Sequence, residues 1–278
     1  MSGPLLGAHV STAGGHHKCF ERAAELGCEA LQIFTRAPGR WQGPALTAGG
    51  IQQFHEQRAH YGSLPVIAHD IYLSNLAAAD EVIRQRSIQS MLTELDRCQA
   101  LGIDGLVCHM GSHSNEEEGL NRYSQAISEI LSKTEGCPIL LETTAGQGTC
   151  LGHRLEHLAH VIQANQGHPR LGVCLDTCHV FAAGYDLREP AAYEAFWSEF
   201  ETVVGLDRLK ALHLNDSKKP LASRVDRHAH IGQGEIGANA FRLLVNDSRL
   251  KGLPMLLETA EADGMHRVNL DLLKSYRT

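Results

Sequence analysis

The chain has 278 residues, enough for two small domains or for one α/β barrel of about 250 residues. Hydrophobic residues make up 43% and charged residues 21%, a globular make-up that excludes a disordered chain, a collagen and a coiled coil. The formal net charge of −7 argues against a partner gripped by bulk positive charge. A nucleic-acid partner would need a local positive site, which bound cations can supply.

In chain order, eight short apolar runs stand out: LLGAHV from Leu5, ALQIF from Ala30, PVIAH from Pro65, GLVCH from Gly105, ILLET from Ile139, LGVCLDT from Leu171, LKALHLND from Leu209 and PMLLET from Pro254. Near-continuous apolar runs of this length are expected of parallel strands covered on both faces. Helical patterns separate them. The clearest spans Ala78 to Leu101, with Ile88, Met91, Leu92, Leu95 and Leu101 on one face and Gly102 placed as a C-terminal stop. Leu155, Leu158 and Ile162 mark another, as do Ala195, Phe196, Phe200 and Val203, and a last helix runs from about Arg267 to Tyr276. Repeated β-then-α units predict a closed (β/α)8 TIM barrel in one domain, residues 1–278. No GxGxxG follows the first run, no linker divides the chain, and LLET at Leu140–Thr143 recurs at Leu256–Thr259. No run reaches the roughly 18 apolar residues needed to span a bilayer, and MSGPLLGAHV lacks the form of a secretory leader, so a cytoplasmic protein with no membrane partner is expected.

The 17 histidines outnumber Phe, Tyr and Trp combined. The eight cysteines form no CxxC pair; Cys108 and Cys174 read as core residues, and Cys178 lies beside candidate ligands without being assigned as one. The carboxyl ends of TIM-barrel strands carry the active site. Strands three to eight end at His69, His109, Glu142, Asp176, His213 and Glu258, so three histidines and three carboxylates should meet at one mouth. Crowded carboxylates with no Lys or Arg from the strand ends call for divalent cations. His179 follows Asp176 in DTCH. Asp226 and His228 sit in D-R-H, where alternation puts both on one side of an extended segment, and these three residues suit a third metal. Mixed nitrogen and oxygen ligation suits Zn2+, with Mn2+ or Fe2+ as alternatives.

At these residues the chain resembles the endonuclease IV family of zinc-dependent apurinic/apyrimidinic (AP) endonucleases. The matching segments are GAHVSTAGG (Gly7–Gly15), HDIYLSNLA (His69–Ala77), LETTAGQG (Leu141–Gly148), GVCLDTCHVFAAGYD (Gly172–Asp186) and HLNDSKKPLASRVDRHAHIGQGEIG (His213–Gly237). The resemblance implies three Zn2+ per chain. His69 and His109 would bind one; Glu142 would bridge it to a second completed by Asp176, His213 and Glu258; His179, Asp226 and His228 would hold the third. Mn2+ is expected to substitute partially at one site. The implied reaction is hydrolysis of the phosphodiester 5′ to an abasic nucleotide in duplex DNA by a metal-bound hydroxide, leaving 3′-hydroxyl and 5′-deoxyribose phosphate ends, together with trimming of blocked 3′ ends. By the same resemblance Glu142 and Glu258 would be the catalytic carboxylates, Glu258 also orienting or deprotonating the attacking water.

DNA contacts are expected from Tyr72 and Leu73, which match family positions that fill the gap left by the missing base, from Arg36 and Arg40, and from Lys218 and Lys219. The chain departs from the family at Ala37, Pro38 and Gly39, where long polar side chains are usual, and at Ala229–His230, where an acidic residue and an Asn are common. A monomer is expected, because a duplex must reach the mouth. The competing enzyme reading is a sugar isomerase or epimerase on a similar barrel; the non-enzymatic one is a zinc-storage or DNA-binding module.

Overall fold

A computed structural model describes residues 3–260 and 264–278. All eight apolar runs form strands: β1 (Leu5–His9), β2 (Ala30–Ile33), β3 (Val66–His69), β4 (Gly105–His109), β5 (Ile139–Glu142), β6 (Leu171–Asp176), β7 (Leu209–His213) and, after a small pair β8 (Asp216–Ser217) and β9 (His228–Ala229), β10 (Pro254–Leu257). The eight long strands are parallel and close into a barrel in the order β1-β10-β7-β6-β5-β4-β3-β2. Helices α1 (Lys18–Leu26), α2 (Ala48–His60), α3 (Glu81–Leu101), α4 (Glu116–Lys133), α5 (Leu155–Ala164), α6 (Thr177–Ala183), α7 (Pro190–Val203) and α8 (Gly237–Asn246) lie between them, and α9 (Met265–Ser275) follows β10. This is the expected TIM barrel.

Two apolar layers hold it. The larger lies between the strands and the helices and includes Phe20, Phe54, Met91, Tyr123, Phe181, Trp197 and Phe241. The smaller fills the barrel's interior with Ala30, Ile67, Val107, Leu140, Cys174, Ala211 and Leu256, one from each of seven strands. Side chains alternate faces along a strand, so the residue two places further on also points inward, nearer the carboxyl end. Those residues are Gln32, His69, His109, Glu142, Asp176, His213 and Glu258. The apolar plug thus forms the floor of a polar mouth, and period two alone selects its members. On β1 the corresponding inward pair is Gly7 and His9; a Cβ on Gly7 would lie 1.8 Å from the Ala30 carbonyl oxygen, so only glycine allows β1 and β2 to pair here.

The structure differs from the sequence expectation at a few boundaries. Helix α3 starts at Glu81 rather than Ala78, because Asp80 caps it by accepting from the Val82 and Ile83 N–H groups. Its stop at Gly102 is as expected, in the left-handed conformation with φ 64°. β10 ends one residue before Glu258, whose N–H donates to Asn215 Oδ1 at 2.9 Å instead of to a neighbouring strand. The loop after β7 contains the unforeseen antiparallel pair β8–β9. Asp216 organises this loop by accepting from the N–H groups of Ser217, Gly234, Ile236 and Gly237.

Candidate metal centre

All nine side chains proposed as metal ligands come together at the carboxyl end of the barrel. Among the described residues they form three groups, the donor atoms of each lying within 4.8 Å of one another: His69, His109 and Glu142; Glu142, Asp176, His213 and Glu258; and His179, Asp226 and His228. Glu142 belongs to two of the groups. Its Oε2 lies 3.1 Å from His69 Nε2 and 2.9 Å from His109 Nε2, and its Oε1 lies 2.8 Å from His213 Nδ1. Glu258 Oε2 is 3.1 Å from the same His213 nitrogen. Asp226 faces His179 and His228, both at 3.2 Å, and Asp176 Oδ2 is 3.6 Å from His228 Nε2.

Several partners orient this set. His69 Nδ1–H donates to the Asp70 carbonyl at 2.6 Å and His179 Nδ1–H to the Thr143 carbonyl at 2.7 Å. A carbonyl only accepts, so one ring hydrogen is committed there and Nε2 is the nitrogen left to face the site. Asn215 Nδ2 donates to Asp176 Oδ2 at 2.7 Å, so this one side chain positions both Asp176 and Glu258. Thr143 Oγ1 accepts from the Asp176 N–H. Asn215 and Thr143 lie inside motifs quoted above, HLND and LETT, but were not singled out; neither were Gln32 and His9, which the period-two rule would have found.

The electrostatics favour cations. Glu142, Asp176 and His213 are fully buried. Among the described residues, no Lys or Arg pairs with Glu142, Asp176 or Glu258; their ionic partners are histidines. Burial alone would raise the Glu142 carboxyl, but the His109 and His213 rings outweigh it and hold it well below the ordinary range. Burial would likewise raise Glu258, and the His213 charge instead lowers it. His69 is pushed up to about 9: burial lowers it, and Glu142 more than reverses that. Imidazole nitrogens facing ionised carboxylates, with positive charge favoured throughout, fit divalent metal ions of nitrogen and oxygen preference, which would take the place of the ring protons.

A further group, Glu116, His153 and His157, does not share this character. Arg154 Nη2 already pairs with Glu116 at 2.6 Å, and burial lowers His157 to about 4. Cys178 lies within reach of Asp176 and His228, but burial pushes its thiol up to about 12. Cys108 and Cys174 are buried, Cys174 inside the barrel plug.

A cavity of about 320 Å3 opens above the ligands, lined by His69, Tyr72, Leu73, Asn75, His109, Gln147, His179 and Asp226. Tyr72 is 66% and Leu73 38% exposed on its rim. The Tyr72 ring packs edge-on against Phe34 and His69, and its N–H donates to the Pro38 carbonyl, tying together the loops after β3 and β2. Arg40, Lys218 and Lys219 are exposed.

Arg36 is a correction. It was expected to face DNA, but it is buried, with Nε donating to Glu94 at 2.6 Å, Nη1 to the Trp41 carbonyl and Nη2 to Ser90. Glu94, on α3, needs an internal cation, and Arg36 supplies it, so this guanidinium has no free face for a phosphate.

A barrel mouth lined by such donors defines a metal-dependent class of enzyme, and comparison with known proteins narrows it. A family model described as a xylose isomerase-like TIM barrel matches residues 20–276. A probable endonuclease 4 of Chloroflexus aggregans is 50% identical over 278 residues, which cover 98% of this chain and 97% of that one. The crystal structure of endonuclease IV from Thermus thermophilus superposes with a TM-score of 0.88 at 36% identity, covering 98% of each chain. A D-allulose 3-epimerase from Methylomonas sp. gives a TM-score of 0.67 at 16% identity, covering 100% of this chain and 92% of that one, a likeness of fold alone. The chain belongs to the endonuclease IV family and is a metal-dependent DNA hydrolase of DNA repair.

Proposed function

We propose that this enzyme hydrolyses the phosphodiester 5′ to abasic sites in duplex DNA, leaving a 3′-hydroxyl and a 5′-deoxyribose phosphate, and that the same site removes blocking groups from 3′ ends as a phosphodiesterase or phosphatase. Three Zn2+ per chain serve it. His69, His109 and the shared Glu142 hold the first; Glu142, Asp176, His213 and Glu258 the second; His179, Asp226 and His228 the third. Mn2+ substitutes in part at one site. The observation that carries this reading is the convergence of three donor groups at one mouth, two of them joined through Glu142.

Bound divalent metals supply Lewis-acid charge to the phosphate and lower the pKa of water from 15.7 to about 7. The remaining tasks fall to the chain. Glu258, at the mouth's edge and partly exposed, orients the attacking water and accepts its proton. Glu142 holds two ligand groups in fixed register. Tyr72 and Leu73 fill the space of the missing base, which is cheap to enter because no base must be unstacked. Arg40, Lys218 and Lys219 contact the phosphate backbone. The enzyme works as a cytoplasmic monomer, the mouth being left open to a duplex.

Metal analysis of freshly purified active protein, paired with a nicking assay, tests this. The expected result is about three zinc per chain and cleavage of a duplex carrying one abasic site, with no turnover of a ketose. One zinc or none in active protein, or ketose isomerisation without nicking, would overturn it. Metal binding with no turnover of either substrate would point to a storage or binding module.

A further inference from the structure

We infer that Gln32 is a positioning residue that sets the ring hydrogen of His213 and the carboxylate of Glu258 together, through the direction of its side-chain amide. The inference rests on the reading that Glu142, Asp176, His213 and Glu258 hold a metal ion.

Gln32 stands at the end of β2 and is fully buried. Its Nε2 donates to Glu258 Oε1 at 2.6 Å and lies 3.0 Å from His9 Nδ1, while its Oε1 lies 2.8 Å from His213 Nε2. An amide can be placed in either of two directions, and here the partners decide. A carboxylate accepts, so the NH2 end must face Glu258. Its second hydrogen then reaches His9 Nδ1. The oxygen is left facing His213 and can only accept, so His213 Nε2 carries the ring hydrogen. Nδ1, 2.8 Å from Glu142 and 3.1 Å from Glu258, is left as the nitrogen that faces the carboxylates: a proton occupies it while no ion is bound, and its lone pair is offered when a metal ion displaces that proton. Turned the other way, the amide would set oxygen against carboxylate and draw the hydrogen of His213 to Nδ1, which would no longer be a ligand.

One amide thus couples two ligands, His213 at the end of β7 and Glu258 just after β10. His69 and His179 are oriented by main-chain carbonyls, which no substitution removes; His213 is oriented by a side chain, so its setting is open to mutation.

Two measurements on the zinc-loaded protein test this. In the wild type, the 15N shifts of the His213 ring should show the hydrogen on Nε2 and the metal on Nδ1. In Gln32→Met, of similar volume but without donor or acceptor, chelator competition should show one zinc weakened by about 10- to 100-fold and the others held as in the wild type. In Gln32→Glu the ring of His213 should keep its hydrogen on Nε2, because an acceptor remains. A wild-type His213 with its hydrogen on Nδ1 would overturn the proposal, and this measurement needs no variant to fold. Equal zinc affinity in wild type and Gln32→Met would overturn the role of Gln32 alone. A wild type that takes no zinc at this group would remove the reading beneath it as well.

Discussion

Glu142 and Glu258 are both lowered carboxylates, but they differ in surroundings. Glu142 is fully buried and touched by histidines from three strands, whereas Glu258 is partly open and anchored through its own N–H to Asn215. Glu142→Gln should therefore lose metal, read as zinc content. Glu258→Gln should keep most of its zinc and lose turnover, by about 10²- to 10⁴-fold in kcat with KM for abasic duplex little changed, as expected when a positioned proton acceptor is removed. Zinc content and kcat measured on the same preparations separate the two roles. A Glu258→Gln enzyme cutting at the wild-type rate would end the proposed role of Glu258. What made these residues legible in the sequence was their recurrence: one His or Asp at a strand end is often a helix cap, as Asp176 also is for α6, but six donors at the same position of six successive units point to one shared site. Gln32 and Asn215 escaped because an amide carries no such signal, and only its contacts reveal what it holds.

At the scale of elements, the loop after β2 shows how a motif can mislead. FTRAPGRW carries two arginines four residues apart, and nothing local distinguishes them. Helix α3 does, because Glu94 and Arg97 face this loop. Thr35 Oγ1 donates to Glu94, Arg97 donates to Thr35 and to the Pro44 carbonyl, and Arg86 lies over the Trp41 ring at 4.5 Å. The loop is therefore pinned to α3, with Arg40 left outside. Glu94→Ala leaves the buried Arg36 without its counter-charge and should cost about 3–5 kcal/mol, measured by denaturant unfolding. Arg40→Ala should leave stability unchanged and reduce the slope of log K for DNA against log salt by about 1. An Arg36→Ala protein of normal stability with a reduced salt slope would reverse the two assignments. The D-R-H segment depends on its element in a similar way: the β8–β9 pair carries His228 back over Asp176, and Cα pairing of Ser217 with His228 sets its position.

At the scale of the whole molecule, the barrel is closed between its first and last thirds. Arg277 donates to Glu29 and to the Pro4 carbonyl, Lys274 to the Gly27 carbonyl, and Glu29 also accepts from the Leu6 N–H. Burial pushes the Glu29 carboxyl up, but Arg277 and the Leu6 N–H outweigh it and hold it below its ordinary value. A lowered folded value means that this stabilisation is complete above the ordinary carboxylate pKa of about 4.3 and is lost as pH falls through the folded value. The difference in melting temperature between wild type and Glu29→Gln should accordingly be present at neutral pH and shrink in acid; a constant difference would contradict it. Metal removal acts on the same scale. An ion held at a thousand times its dissociation constant stabilises by about 4.1 kcal/mol, so chelation should lower the melting temperature by about 8 °C or more, with zinc restoring it.

The sequence by itself determined the barrel, because eight apolar runs separated by helical stretches leave few other ways to bury that surface. It also determined which strand ends carry donor side chains, because side chains alternate and the mouth of such a barrel is one place. Tertiary structure alone decided which arginine faces inward, where the segment after β7 folds back, and which nitrogen of His213 looks into the site. Each of these depends on a partner distant in the chain, and a hydrogen bond or ion pair between residues so far apart leaves no trace in the local pattern of either.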